Sequence, residues 1–339
     1  MIITRTPFRI SFFGGGTDHP CWYNKYGGSV LTTTIDKYCY ISCRYWPPFF
    51  EKKYRLVYSK IELINKVSEI QHPSIRACLK FLKIDKGIEI THNADLPART
   101  GLGSSSSFTV GLLNALYGLK GIMPSKYQLA LDAIHVEQKL IKENVGSQDQ
   151  TEASFGGFNL ITFIDKETIK VTPVTLPRQR LNELQKHLML FYTGISRCAS
   201  DIEKEKIKGI SQHKNELNTM HQFVYEAIKI LTHNNSLSDF GELLHTNWNI
   251  KRSLTKKISN SHIDDIYFAA RKAGAIGGKL LGAGGGGFFL IFAKPENQNK
   301  IKKALGHYLH VPFSFESFGS QVIFYSPNDS FQINDEKRI

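Results

Sequence analysis

Long apolar runs are missing from this sequence: no stretch of the 339-residue chain reaches the roughly 18 residues that a membrane span needs. Proline is sparse, at 12 residues, and cysteine sparser, at five (positions 21, 39, 43, 78 and 198). None of the cysteines forms a C-x-x-C pair, which removes the zinc-finger spacings, and an odd count suits a reducing compartment better than a secreted disulfide scaffold. The opening segment, residues 1–7, lacks the apolar core of a signal peptide. The expectation is a cytoplasmic protein with no membrane partner. Acidic residues are also short in supply: 30 Asp and Glu face 43 Lys and Arg, a net charge of +13. Such an excess favours anionic partners. Its densest clusters, at 204–208, 251–252 and 256–257, lie in helix-like stretches and read as solvated helix faces. No aromatic-basic ribonucleoprotein signature accompanies them, so nucleic acid is not an expected partner.

What is present is an ordinary globular composition, 41% hydrophobic with 27 glycines. The length implies two domains, and the prolines at 173 and 177 with the polar run 178–180 place a soft boundary near 180, giving units 1–180 and 181–339. Strands are expected at 9–13, 29–35, 38–45, 87–91, 156–164, 188–192, 288–292 and 321–325. Helical spacing of apolar residues marks 73–82 and 108–119, and Ser125 is placed to cap a helix running to about 142. Further helices are expected at 198–232, 238–257, 262–273 and 297–309. Strands and helices mingle without a regular βαβ rhythm, which indicates an α+β protein.

Three glycine-rich stations punctuate the chain. The middle one, Pro97-Ala98-Arg99-Thr100-Gly101-Leu102-Gly103-Ser104-Ser105-Ser106-Ser107, follows a strand and opens a helix. Glycines turn the backbone tightly, and the helix N-terminus adds partial positive charge, so the loop suits an anion such as phosphate. A serine N-cap alone would need only one of the four hydroxyls. No G-x-x-x-x-G-K-[ST] occurs, so it is not a Walker loop. The last station, 279–287, contains G-x-G-x-x-G but has a helix before it and a strand after it, the reverse of a dinucleotide fingerprint. Its five glycines in six positions still require a close approach, by a ligand or by a neighbouring element. The first station, Gly14-Gly15-Gly16-Thr17-Asp18-His19, joins a flexible turn to a carboxylate, and by itself is as consistent with a hairpin as with a site.

Two acids stand close to the middle station in sequence. Glu137 lies late in the helix from 125, and Asp149 follows Ser147, itself placed to cap another helix. One acid suits a metal, the other a substrate hydroxyl; an acid near a helix start is stabilised in its ionised form. Spacing alone leaves solvent exposure as the plainer reading of both.

These stations, in this order, resemble the GHMP small-molecule kinases, the family of galactokinase, homoserine kinase, mevalonate kinase and phosphomevalonate kinase. The middle station is similar to that family's P-x-x-x-G-L-G-S-S phosphate loop, residues 282–287 to its third motif, and 9–18 to the first motif of its galactokinase branch. A closer resemblance, to the heptose-phosphate branch, runs through 9–18, 72–81, 101–114, 146–150 and 155–159. The resemblance implies a two-domain GHMP-kinase fold: an N-terminal α/β domain like ribosomal protein S5, and a C-terminal α+β domain with a ferredoxin-like sheet. It implies ATP and Mg²⁺ as cofactors and a sugar phosphate, heptose 7-phosphate, as acceptor at its anomeric hydroxyl, feeding nucleotide-activated heptose synthesis.

Residue by residue, the resemblance makes Asp149 the catalytic base and Arg9 the arginine near the transferred phosphoryl. It gives Pro97, Gly101, Leu102, Gly103, Ser104, Ser105 and Ser106 to the ATP phosphates, and Ser105 and Glu137 to the metal. Gly14, Gly15, Gly16, Thr17, Asp18, Gly284 and Gly285 fall to the substrate. Galactokinases carry Glu-His where this chain has Gly15-Gly16, which argues against galactose. Lys37, Arg44, Lys53, Arg55 and Arg197 are candidates for a distal phosphate, beside the plainer reading of each as structural or solvated. The chain is expected as a monomer or homodimer. A kinase for another sugar, such as fucose, and a basic polyanion binder without catalysis are the alternatives.

Overall fold

The structure, a computed structural model, describes residues 1–165, 168–195, 202, 204, 205, 209, 212–233 and 235–326. In chain order the strands are β1 (Ile2–Phe13), β2 (Gly28–Tyr45), β3 (Tyr54–Val57), β4 (Ile61–Ile64), β5 (Ile88–Ala94), β6 (Phe158–Phe163), β7 (Ile169–Pro173), β8 (Leu188–Tyr192), β9 (Ala275–Leu280), β10 (Phe288–Ala293), β11 (Leu309–His310), β12 (Phe315–Glu316) and β13 (Gln321–Tyr325). The helices are α1 (Pro20–Tyr26), α2 (Pro73–Phe81), α3 (Ser104–Leu119), α4 (Lys126–His135), α5 (Gln148–Phe155), α6 (Arg178–Lys186), α7 (Lys214–Thr232), α8 (Leu237–Ser253), α9 (Ser261–Lys272) and α10 (Gln298–Ala304).

A nine-stranded sheet runs β13-β1-β2-β5-β3-β4, with β6 and β12 also on β2 and β7 on β6. All its pairings are antiparallel except β3 with β5. A second sheet, β11-β8-β10-β9, is wholly antiparallel. This is the α+β class expected from the mixed order of elements.

Two expected strands, 29–35 and 38–45, are one strand, β2. Its register on β1 shifts between Pro7 and Phe8, which pair with Tyr38 and Ile35. Pro7 has no N–H to give to the ladder, and the irregularity falls opposite Asp36-Lys37, the two residues between the expected strands. The boundary near 180 falls inside α6. Moreover β12 and β13, from the last stretch of chain, pair with β2 and β1. A cut at 180 would therefore strip two strands from the first sheet, and one buried core contains Phe8, Leu113, Phe240 and Phe292 alike.

The helix from Ser125 starts as expected, with the Ser125 hydroxyl accepting from Gln128 N at 3.1 Å. Beyond His135 it widens into a π-helical turn, Val136–Ile141, and stops at Lys142 in the left-handed region (φ 64°). Single π turns are concentrated at functional sites, and Glu137 sits in this one. Of the basic clusters, Lys251 departs from the solvated reading: it is buried, donating to Leu280 O at 2.9 Å and Gly282 O at 2.6 Å.

The third glycine station folds against the middle one. A Cβ on Gly282 (φ +69°) would lie 2.5 Å from Gly101 Cα, and one on Gly101 (φ +82°) 2.4 Å from Leu281 O. Phe288 N donates to Thr100 O at 3.0 Å across the same seam. The close approach implied by the five glycines is thus made by a neighbouring element. We expect Gly282→Ala to lower unfolding free energy by about 2 kcal/mol or more, from overpacking against backbone. Gly15→Ala, whose added carbon meets nothing within 4 Å, should change it by less than about 0.5 kcal/mol. Denaturant melts of the two variants compare them.

Candidate active site

The middle station enters α3 through two left-handed glycines, Gly101 and Gly103 (φ +74°). The amides of the first helical turn have no partners within the helix, and here that turn is made of Ser104, Ser105 and Ser106. Across the loop, the Arg9 guanidinium from β1 forks onto Asp149 at the start of α5: Nε to Oδ1 at 2.8 Å and Nη2 to Oδ2 at 2.8 Å. Its remaining nitrogen, Nη1, donates to Gly101 O at 2.7 Å, and Arg9 N donates to Leu102 O at 3.0 Å. A Cβ on Gly103 would lie 3.4 Å from Asp149 Oδ2, so loop, arginine and aspartate form one cluster. The Arg9 side chain is 4% exposed and that of Asp149 24%. The aspartate keeps an edge open to a ligand; the arginine does not.

Glu137 lies behind the loop, 1% exposed. Its Oε2 accepts from Ser106 Oγ at 2.9 Å and from Gln150 Nε2 at 2.5 Å, while Oε1 is buried without a hydrogen-bond partner. Burial pushes the Glu137 carboxyl up to about 7, partly offset by hydrogen bonding from Thr109, Gln150 and Ser106. Ser106, not Ser105, is thus the hydroxyl bound to Glu137; Ser105 is exposed and its carbonyl accepts from Thr109 Oγ1 at 3.2 Å. Helix periodicity turns adjacent side chains about 100° apart, so Ser105 and Ser106 face different surroundings.

The first station packs onto the loop that precedes α5. Thr17 Oγ1 donates to Gly14 O at 2.7 Å, and Gly16 N donates to Asp18 Oδ1 at 2.9 Å. Ser147 N donates to Asp18 O at 2.9 Å. Ser147 holds the N-cap position of α5, but its hydroxyl does not cap the helix: it faces Tyr23 OH at 3.2 Å and accepts from Gln138 Nε2 at 3.1 Å. Gly14 is required because a Cβ there would sit 1.9 Å from Ser29 O.

Other expected contacts are engaged elsewhere. Gly284 presses on Ile258, and Gly285 N donates to Ile258 O at 2.9 Å, so both meet protein where a substrate was expected. Arg44 and Arg55 share Glu89, and Lys37 is 3.0 Å from Asp36 Oδ1. Lys53 lies over the Tyr54 ring at 5.9 Å. Arg197 lies outside the described residues. Among the described residues no group of three or more His, Cys, Asp and Glu forms a metal cluster, and no helix is long and apolar enough to cross a membrane.

Three residues escaped the sequence reading. Gln150, next to Asp149, holds Glu137. Lys279, buried, donates to Ser11 O at 2.8 Å and Phe12 O at 2.7 Å and so ties β9 to the end of β1. Glu152, one helical turn after Asp149, is fully buried and accepts from Asn159 Nδ2 at 3.1 Å through Oε2. Its i, i+3 relation to Asp149 was the available signal.

Residues 65–157 match the GHMP kinases N terminal domain and residues 224–310 the GHMP kinases C terminal domain. The chain is 30% identical over 324 residues to D-glycero-alpha-D-manno-heptose 7-phosphate kinase of Campylobacter jejuni, covering 90% of this chain and 93% of that one. The chain belongs to the GHMP kinases. It is therefore a phosphotransferase with an alcohol acceptor, and ATP is the family's donor. The chain is also 26% identical over 348 residues to the L-fucokinase/L-fucose-1-P guanylyltransferase of Bacteroides fragilis, covering 89% of this chain and 35% of that one. In fold it is similar to a D-glycero-D-manno-heptose 1-phosphate kinase from Bacteroides thetaiotaomicron, with TM-score 0.79, 22% identity, and coverage of 96% and 100% of the two chains.

Burial raises the Glu152 carboxyl from 4.5 to about 8, against the lowering field of Arg9. The folded state then holds a proton that the unfolded chain has lost, so stability falls as pH rises from about 4.5 through 8. Each unit of such a shift corresponds to about 1.4 kcal/mol. Glu152→Gln should flatten that decline and make the variant more stable than the parent at pH 9. Thermal melts from pH 5 to 9 test it, and parallel slopes for the two proteins would refute it.

Proposed function

We propose that this chain is an ATP-dependent sugar-phosphate kinase that phosphorylates the anomeric C1 hydroxyl of D-glycero-D-manno-heptose 7-phosphate, giving the 1,7-bisphosphate. The observation that carries the reading is the Arg9–Asp149 fork lying against Gly103 of the phosphate loop; the Campylobacter jejuni relative supports the acceptor. The loop amides and the α3 N-terminus cradle the phosphates of ATP. The acceptor lies on the Gly14–Asp18 turn, and the open edge of Asp149 takes the C1 hydroxyl proton as that oxygen bonds to the γ-phosphorus. The bond to the β-phosphate oxygen breaks, and ADP leaves with the electron pair. Positioning and charge stabilisation do most of the work in such a transfer. Arg9, already neutralised by Asp149, gains field strength toward the transferring group as the aspartate takes up the proton.

Magnesium fits the residues present. The buried, unpartnered Oε1 of Glu137, with the hydroxyls of Ser105 and Ser106, supplies a small oxygen set of the kind Mg²⁺ completes with substrate phosphates. When bound it would neutralise phosphate charge.

Turnover on heptose 7-phosphate and on free heptose and fucose decides the acceptor. We expect the 7-phosphate to give the highest kcat/KM, and a preference for fucose would replace this reading with the other-sugar alternative. Asp149→Asn should lower kcat by about a thousandfold, on the order of 4 kcal/mol, with ATP affinity largely kept. Full turnover in that variant would remove Asp149 from the chemistry.

A further inference from the structure

Helix α7 forms a wall over the first glycine station. Leu217 Cδ2 lies 3.0 Å from where a Cβ on Gly16 would be, and Val224 Cγ2 lies 2.7 Å from the corresponding point on Gly14. Tyr225 OH is 2.9 Å from Ser29 Oγ, beside the same turn. At about 100° per residue these three side chains span an arc of about 100° on the helix, and His221 falls inside it. His221 is thus on the face that meets the station, with its ring 5.6 Å from that of Tyr225.

Its neighbours on this face are in contact, yet His221 Nε2 is buried without a hydrogen-bond partner. A buried polar atom left unsatisfied costs about 1–3 kcal/mol, and such atoms in native folds call for an explanation, a missing ligand among them. On the turn below, Gly15 has nothing within 4 Å of its Cβ direction. The Gly14 and Gly16 directions meet α7, the Gly15 direction between them is open, and the unsatisfied imidazole lies on the same face of the helix. Burial lowers the His221 pKa, so the ring is neutral at pH 7 and suits a hydroxyl better than a phosphate.

We propose that His221 is a specificity-determining residue that hydrogen-bonds, through Nε2, a non-reacting hydroxyl of a polyol acceptor seated on the Gly14–Asp18 turn. This rests on the reading of that turn as the acceptor site. Without a Cβ at position 15, the acceptor lies deep enough to meet the α7 wall, and the wall then reads its hydroxyl pattern. A polyol bearing hydrogen or methyl at that carbon would leave Nε2 unpaired and bind less well.

The test compares His221→Phe, which fills the volume without a hydrogen bond, His221→Gln, which keeps a hydrogen bond with less volume, and His221→Ala. Steady-state kinetics are measured with ATP and heptose 7-phosphate, together with circular-dichroism melts. The Phe and Ala variants should raise the acceptor KM by about tenfold, as one lost hydrogen bond predicts, and leave the ATP KM and kcat within about threefold. Gln should recover most of the acceptor KM. Should the Ala variant fail to fold, the Phe and Gln pair carries the comparison. A Phe variant with parental acceptor KM, or a Gln variant worse than Phe, assigns His221 to packing and overturns the proposal. A parent chain that binds ATP but phosphorylates no sugar or sugar phosphate overturns the acceptor reading, and this proposal with it. A working sugar kinase indifferent to His221 overturns this proposal alone.

Discussion

The guanidinium of Arg9 is the joint on which the site depends. It is contributed by β1, next to the β13 edge of the larger sheet, and it reaches two elements that come much later in the chain: the glycine loop before α3 through Gly101 O, and α5 through both oxygens of Asp149. Bidentate arginine–carboxylate pairing fixes orientation as well as distance, so three separate segments are held in one register. Removing either partner of such a mostly buried pair leaves a charge without compensation, at a cost of about 3–5 kcal/mol. The geometry also explains why the pair is placed at the rim: the arginine is enclosed, while the aspartate retains an accessible edge. A charge pair that was buried on both sides would stabilise the fold and be closed to substrate.

The second constraint is backbone on backbone. Gly101, Gly282 and Gly287 bring the phosphate loop and the loop before β10 within distances that no side chain permits. Lys251 then holds the carbonyls of Leu280 and Gly282, and Lys279 those of Ser11 and Phe12. Two buried ammonium groups thus bind carbonyls on either side of the seam, with Lys279 tying the smaller sheet to the strand that carries Arg9. The phosphate loop is rigid from behind as a result. For a reaction in which positioning dominates, rigidity in the cradle matters more than any single hydrogen bond to the ligand.

Much of this was legible in the sequence and the remainder fails for identifiable reasons. Strand-rich and helix-rich stretches, the Ser125 cap and the glycine turn that opens α3 follow from local pattern, because turn glycines and apolar periodicity act locally. Resemblance by motif gave Glu137 to a metal, and only the fold shows that its Oε2 is held by Ser106 and Gln150. The boundary at 180 was drawn from prolines, but the last strands return to the first sheet, and no local signal records where a distant strand will pair. Gly284 and Gly285 illustrate a third limit. Sequence reports that something must come close to a glycine, and only the fold says whether it is a ligand or, as here, the backbone of Ile258. Lys251 was misread because a lysine in a helix is usually solvated; carbonyls freed by an irregular loop are what make its burial tolerable.

The carboxylates divide by environment, which is where the chemistry of the site is set. Asp149 sits against a guanidinium at a helix start. Glu137 and Glu152 are enclosed, and burial raises both, to about 7 and about 8. A proton on Glu152 has a specific consequence. Arg9 then answers to one carboxylate charge, and the cluster beside the glycine loop is not made more negative by a second. Glu137 is the complementary case: under the proposed function its unpartnered oxygen would accept a cation only once the proton leaves, and cation binding would favour that loss. One acid is forked onto a guanidinium and two are raised by burial to different degrees, so the same functional group stands in three separate electrostatic settings.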